Sequence, residues 1–305
     1  GKTVYLIGEK NEIKLCMPKI NKNRVIGITQ ILEGCLGNCS YCITRYAKGK
    51  LFSYPEEKII ENVKNDLKNG CKEIWLTSQD NSAYGIDEGD AKLPELLNEI
   101  LNLKGKFFLR LGMMNPNHVL GITEELIECY KNEKMFKFLH IPLQSGSDKV
   151  LRDMSREYKV RDFVNITKRF KKEFPNLTMS TDIIVGYPTE NEKDFNDTLN
   201  VIKEVEPSIL NISKFWPREK TEAAKLEQLD VDVIKKRAIE AMNMHRLIAL
   251  EENKKMIGWQ GICLVDKKGF EETFLGRNID YKLIVVKGKN LLGKFLDVKI
   301  VRAMP

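Results

Sequence analysis

Six short apolar runs alternate with amphipathic, charged segments over the first two thirds of this chain, and that alternation limits the possible folds more than any other feature. The apolar runs cover 25–32, 73–77, 107–111, 137–142, 178–185 and 210–215; helical periodicity covers 56–69, 94–101, 123–130, 160–174 and 192–205. Repetition of a strand followed by a helix predicts parallel strands covered by helices. Pro55 and Pro94 stand where helix starts tolerate proline, and Gly70 where a helix end favours glycine. Six units instead of eight predict an α/β fold built as a partial, TIM-like (β/α)6 barrel whose open side admits a large substrate. Chemistry in such barrels sits at the C-terminal ends of the strands. Polar, turn-forming clusters follow nearly every run here, among them Ser78-Gln79-Asp80-Asn81, Gln144-Ser145-Gly146-Ser147 and Trp216-Pro217-Arg218.

The first strand runs into a loop carrying Cys35, Cys39 and Cys42, three thiols within eight residues. Gly37 and Asn38 tolerate the positive φ that a tight wrap needs. Clustered thiolates are soft ligands that select zinc, Cu(I) or an iron–sulfur cluster. A structural zinc site closes with four ligands, and no His or fourth Cys lies near. Three Cys on a four-iron cluster would instead leave one iron open to a small molecule.

Seven cysteines, three of them in this loop, argue against a secreted disulfide framework, and no apolar run approaches eighteen residues. A cytoplasmic protein without a membrane segment is expected, as a monomer. The net charge is +7, and 254–305 alone carry 11 Lys or Arg against 5 Asp or Glu. A basic end on a nearly neutral body predicts a polyanion-binding module. Five strand-like pieces there (258–265, 272–275, 281–286, 293–295 and 298–302) predict a small antiparallel β-barrel of the oligonucleotide-binding kind. Lys282, Lys287, Lys289 and Lys294 are its candidate nucleic-acid contacts, and Phe270, Phe274 and Tyr281 either stack on bases or pack its core. The expected organisation is thus 1–22 as the tail of a preceding domain with a short strand at 4–7, the partial barrel at 23–228, a linking helix at 229–253, and the small barrel at 254–305.

The C-x3-C-x2-C spacing, with Tyr41 just before the last Cys, resembles the signature of the radical S-adenosylmethionine (SAM) superfamily. EGCLGNCSYC, EIWLTSQDNSAYG, LRLGMMNPNHV, HIPLQSGSDKVLRDMSREY, TDIIVGYPTENEKDF and FWPREKTEAA, in this order, resemble one branch of it, the tRNA methylthiotransferases. The basic end resembles their TRAM domain. LTSQDNSAYG most resembles the archaeal and eukaryotic type, which acts on N6-threonylcarbamoyladenosine. Other branches act on another tRNA adenosine or on a ribosomal protein; outside the resemblance, a non-catalytic RNA-binding zinc protein is the competing reading.

The resemblance implies a [4Fe-4S] cluster on Cys35, Cys39 and Cys42 that reduces SAM to a 5′-deoxyadenosyl radical. That radical takes hydrogen from C2 of adenine 37 of a tRNA, where sulfur and a methyl group from a second SAM are added. Gln79 and Asp80 are then expected at the SAM amino group, and Gln144, Ser145 and Asp182 at its ribose or carboxylate. Arg110 and Arg156 would meet the SAM carboxylate or a tRNA phosphate. Tyr41 would cover the adenine or pack in the barrel. His140 is expected to face the core, with no acid–base pair among the three His. Relatives carry an N-terminal domain with three further Cys for an auxiliary [4Fe-4S] cluster; GKTVYLIGE resembles only its last strand, so sulfur insertion by this chain alone is not expected. Cys16, Cys71, Cys129 and Cys263 read as small hydrophobes. No motif specifies the sulfur donor or the electron donor.

Overall fold

β-branched and aromatic residues in short runs give six parallel strands with helices in the connections. The structure, a computed structural model, describes residues 12–18 and 23–304; the strand expected at 4–7 lies outside them. In chain order the elements are β1 (Ile26–Gln30), β2 (Leu32–Glu33), α1 (Thr44–Lys48), β3 (Phe52–Ser53), α2 (Glu56–Lys68), β4 (Glu73–Thr77), α3 (Leu93–Leu101) and β5 (Phe108–Leu111). There follow α4 (Pro116–Val119), α5 (Thr123–Lys131), β6 (Phe138–His140), α6 (Asp148–Asp153), α7 (Val160–Glu173), β7 (Thr178–Val185), α8 (Glu192–Val205), β8 (Ile209–Lys214) and α9 (Val231–Lys254). The chain closes with β9 (Gln260–Lys268), β10 (Thr273–Arg277), β11 (Leu283–Lys287) and β12 (Phe295–Lys299).

β1, β4 and β5 pair in parallel, as do β6, β7 and β8. The two sets join where Phe136 N donates to Leu109 O and Met114 N to His140 O, both at 2.9 Å. This is the expected open barrel of six strands. Side chains alternate across it: Ile74, Leu76, Leu109, Leu111, Leu139, Met179 and Ile183 are fully buried in the core that the helices cover. Trp75, Arg110, Phe138, His140 and Asp182 occupy the other, inner face. The helices supply matching apolar stripes; α7 buries Phe163, Val164, Ile166, Thr167 and Phe170, spaced at three and four residues. At the start of α8, Asn191 Oδ1 accepts from Asp194 N while Asp194 answers to Asn191 N, fixing where that helix begins.

α9 is held by a buried ion pair. Arg237 Nη1 donates to Glu190 Oε2 at 2.7 Å, and the same oxygen accepts from Gly186 N. Gly186, at φ +78°, lies where a Cβ would sit 2.4 Å from Ile234 of the helix, so the close approach requires glycine.

The C-terminal module has four strands, ordered β11-β10-β9-β12 and antiparallel throughout. The two pieces expected at 293–295 and 298–302 are one strand, β12, because the Gly288–Gly293 turn takes the chain back before it and nothing interrupts it at 296–297. This half-barrel packs on the base of the large one. Tyr281 stacks against Phe136 and Phe138 with centroids at 4.8 and 4.5 Å, and Phe295 against Phe108 at 5.7 Å. Among the described residues no helix is long and apolar enough to cross a membrane.

Candidate active site

The cysteine loop leaves β2 and returns through β3. β2 and β3 form a short antiparallel hairpin that closes its base, pairing Leu32 with Ser53 and Glu33 with Phe52. Gly34, at φ +76°, would place a Cβ 1.9 Å from Lys50 O, so only glycine lets the two arms pass. The hairpin and α1 are too short to show a period in the sequence.

Each sulfur of the triad receives one N–H donor: Gly37 N to Cys35 Sγ at 3.3 Å, Thr44 N to Cys42 Sγ at 3.4 Å, and Arg156 Nη1 to Cys39 Sγ at 3.1 Å. Such donors favour thiolates, the form that binds metal. Burial pushes the Cys35 thiol up, with the Gly37 N–H opposing it, so ligation there is coupled to loss of a proton. A Cβ on Gly37 would stand 3.4 Å from Cys35 Sγ and 3.6 Å from Cys39 Sγ; glycine leaves the space between the sulfurs open. Among the described residues no three Cys, His, Asp or Glu are arranged as a single-ion site. As a donor set, three soft sulfurs on one loop suit an iron–sulfur cluster that keeps one iron open.

The loop is clamped from outside. Ser40 Oγ and Tyr187 Oη both reach Asp153 O, at 2.9 and 2.8 Å, while Ser40 N donates to Met154 O and Ala223 N to Ser40 O. Tyr41 is partly buried against Val150, Met154, Tyr187, Phe215 and Ala223. A polar chain also runs from Cys39 inward. Arg156 Nη2 donates to Asn115 Oδ1 at 2.6 Å, Asn115 N donates to Asp80 Oδ1 at 3.0 Å, and Asp80 Oδ2 lies 2.7 Å from His118 Nδ1. The loops after β1, β4 and β5 and the end of α6 are thereby tied together.

Several expected ligand contacts are otherwise engaged. Asp80 is buried and caps the turn at 81–83, also accepting from Ser82 Oγ at 2.5 Å; it braces two loops and has no free oxygen for an amino group. Ser145 is fully buried, accepting from Ser147 N, and faces Thr198 of α8. Arg110 is not on the rim: its guanidinium sits inside the barrel over Trp75, Phe138 and Tyr281, at 4.8, 4.6 and 5.6 Å from their centroids. Gln79 and Gln144 stay at the rim, half-buried, with Gln79 Oε1 unpartnered and Gln144 held at φ +64° by a bridge to Ile183. Arg156 keeps an unpartnered Nε.

His140 is not a core residue. Its Nε2 lies 2.7 Å from Asp182 Oδ2, and Asn211 Nδ2 donates to Asp182 Oδ1 at 2.8 Å, forming a half-buried polar group on the inner wall. With His118–Asp80 this makes two imidazole–carboxylate pairs where none was expected. The partners are 42 and 38 residues apart; only strand register, His140 opposite Ser180 on the strand that carries Asp182, could have signalled the first.

Of the basic candidates, Lys287 and Lys294 are exposed and Lys289 is paired with Glu272 at 3.3 Å. Lys282 is turned inward, its Nζ donating to Ser208 Oγ at 3.2 Å beneath β8, with burial lowering its pKa; it cements the half-barrel to the large one. Phe270 is exposed, and Tyr281 and Phe274 pack inward. Cys71, Cys129 and Cys263 are buried, with the Cys129 thiol pushed by burial up to about 11 and that of Cys263 up to about 12.

Residues 29–202 match the family model of the radical SAM superfamily. The chain is 42% identical over 279 residues to the probable threonylcarbamoyladenosine tRNA methylthiotransferase of Archaeoglobus fulgidus, covering 92% of this chain and 65% of that protein. It is 42% identical to the Pyrococcus horikoshii protein of the same name over 97% of this chain and 69% of that one. The human threonylcarbamoyladenosine tRNA methylthiotransferase is 37% identical over 98% of this chain, which spans 53% of its length. Among solved structures, the radical SAM methyltransferase TsrM of Kitasatospora setae superposes with a TM-score of 0.55 at 15% identity, over 65% of this chain and 38% of that one. Coproporphyrinogen III oxidase (HemN) of Escherichia coli gives 0.51 at 15%, over 78% and 55%. The partial barrel is the fold these share. With a triad fit for a cluster at its mouth and this level of identity, the chain belongs to the radical SAM superfamily and, within it, to the threonylcarbamoyladenosine tRNA methylthiotransferases.

Proposed function

We propose that this chain carries the radical chemistry of tRNA methylthiolation, at C2 of N6-threonylcarbamoyladenosine 37. The observation that carries the reading is the triad itself: three thiols on one loop, each facing an N–H donor, at the C-terminal mouth of a six-stranded barrel. Cys35, Cys39 and Cys42 would hold a [4Fe-4S] cluster, which when bound supplies the electron for reductive cleavage of SAM.

The chain's own residues then have separable roles. Arg156 neutralises the Cys39 thiolate, and its orphaned Nε is available to a SAM carboxylate. Gln79 and Gln144 offer amide groups at the rim for the amino group and the ribose. Asp182, oriented by His140 and Asn211, presents a fixed carboxylate on the inner wall below them. Tyr187, Ser40 and Asp153 hold the loop still, so the cofactors meet a preorganised mouth. tRNA is the macromolecular partner, with Lys287 and Lys294 among its contacts, and the setting is cytoplasmic.

The test uses the chain prepared anaerobically with iron and sulfide. About four irons per chain, and 5′-deoxyadenosine released from SAM under strong reductant, are expected. tRNA bearing N6-threonylcarbamoyladenosine should bind more tightly than the same tRNA lacking it. Stoichiometric zinc without iron would sink the cluster assignment. Preference for an isopentenyladenosine tRNA would sink the substrate assignment.

A further inference from the structure

A concave feature away from the cysteine loop lies at the opposite end of the barrel. The connections from α2 to β4 and from α3 to β5 line a cleft of about 690 Å³ that contains Lys64, Lys68, Lys72, Lys104 and Lys106 and no acidic residue. Lys64, Lys68, Lys104 and Lys106 are exposed and have no carboxylate within ion-pair reach among the described residues. Some exposed helix cations elsewhere are paired, Lys131 with Glu128, Lys168 with Glu204 and Lys235 with Asp232. Others, such as Lys193, Lys203 and Lys236, are unpaired among the described residues and stand on open helix faces. The cleft differs in gathering five cations into one concavity with no acidic residue. Two helix C-termini face the cleft, but each is worth only about half a negative charge. Five cations therefore leave a net of roughly +4 in one concavity.

The cleft continues onto the C-terminal half-barrel. Lys72 Nζ donates to Gly293 O at 2.6 Å, and Lys106 Nζ lies 4.5 Å from the centroid of Phe295. Exposed Lys294 sits between those two contact residues in sequence. The charge count by segment assigned nearly all of the positive charge to 254–305, yet the folded chain gathers five further cations beside that module. Because β4 spans five residues, about 17 Å separate this end of the barrel from the rim. A free nucleotide cannot occupy both ends; a structured RNA can.

We infer that this cleft is a second tRNA contact, gripping phosphodiester backbone remote from the modified nucleotide; the inference rests on the tRNA reading above. Backbone contacts of this kind position a nucleic acid without reading its sequence, and they release counterions. Three lost phosphate contacts correspond to about 20- to 40-fold of the affinity change between 50 and 200 mM salt.

The experiment compares the full chain, loaded with cluster, with two triple variants: Lys64→Ala/Lys68→Ala/Lys104→Ala in the cleft, and Lys131→Ala/Lys168→Ala/Lys235→Ala on paired surface sites. Both remove the same net charge, and iron content and SAM cleavage report that both remain folded. tRNA titrations at 50 and 200 mM salt are expected to show the cleft variant losing roughly 20- to 40-fold less affinity over that range than wild type, and binding more weakly at 50 mM. The surface variant should follow wild type. If the two variants behave alike, the cleft is not a contact, while the tRNA reading stands. If wild type itself binds no tRNA, that reading falls and takes the inference with it.

Discussion

Replacing Glu73 by glutamine should stabilise the chain above neutral pH, because the base of the barrel is closed over a carboxyl that prefers its proton. Glu73 opens β4 and is fully buried. Trp75 Nε1 donates to its Oε1 at 2.5 Å, and Oε2 has no hydrogen-bond partner. The charged groups facing it are Asp266 of β9, Arg277 of β10 and Arg110 of β5. Burial pushes the carboxyl up to about 7; the Trp75 hydrogen bond opposes that, Asp266 adds to it, and Arg277 and Arg110 oppose it. A carboxyl that binds its proton more tightly when folded stabilises the fold fully below its unfolded pKa of 4.5. That contribution is lost as pH rises through about 7. At about 1.4 kcal/mol for each tenfold change in proton affinity, the loss is on the order of 3 kcal/mol. Asp266, also raised by burial, changes in the same direction. Glutamine keeps an acceptor for the indole and cannot ionise. Urea midpoints of wild type and Glu73→Gln, measured from pH 4.5 to 8.5, should coincide most closely near pH 4.5, separate in favour of the variant as pH rises to about 7, and keep that separation above it. A variant whose midpoints fall with pH as steeply as wild type's would refute the buried-carboxyl account.

Cys35→Ala, Cys39→Ala and Cys42→Ala should each abolish iron retention after anaerobic reconstitution, whereas Cys71→Ala, remote from the triad, should retain about four irons per chain. Arg237→Ala should cost about 3–5 kcal/mol in urea unfolding by leaving Glu190 buried without its partner. A loss near zero would mean that α9 is not pinned there. Truncation after Asn253 should lower the thermal midpoint and expose Phe108, Phe136 and Phe138 to a hydrophobic dye, since Tyr281 and Phe295 cover them in the intact chain. An unchanged midpoint would show that the half-barrel is energetically independent of the large barrel.

The order and type of the six strands and their main helices were legible in the sequence because period and turn chemistry are local. β4, β7 and α8 begin and end where the pattern ends. The clustering of Cys35, Cys39 and Cys42 was legible for the same reason, since three thiols on one loop need no tertiary information to be neighbours. What the sequence left open were partnerships between residues tens of positions apart. Asp80 and Ser145 looked available because they stand in polar clusters after strands, but neighbouring loops consume their hydrogen bonds. Arg110 looked like an anion contact until strand alternation turned it into the barrel among aromatic rings. His140 became a polar wall residue only when β6 and β7 set their register. Lys282 lost its place among the RNA-facing cations when the half-barrel docked and buried it against Ser208. Spacing along the chain fixes which groups can share a loop; which groups across the barrel must satisfy one another is decided by packing, since a buried polar atom takes whatever partner the fold brings near.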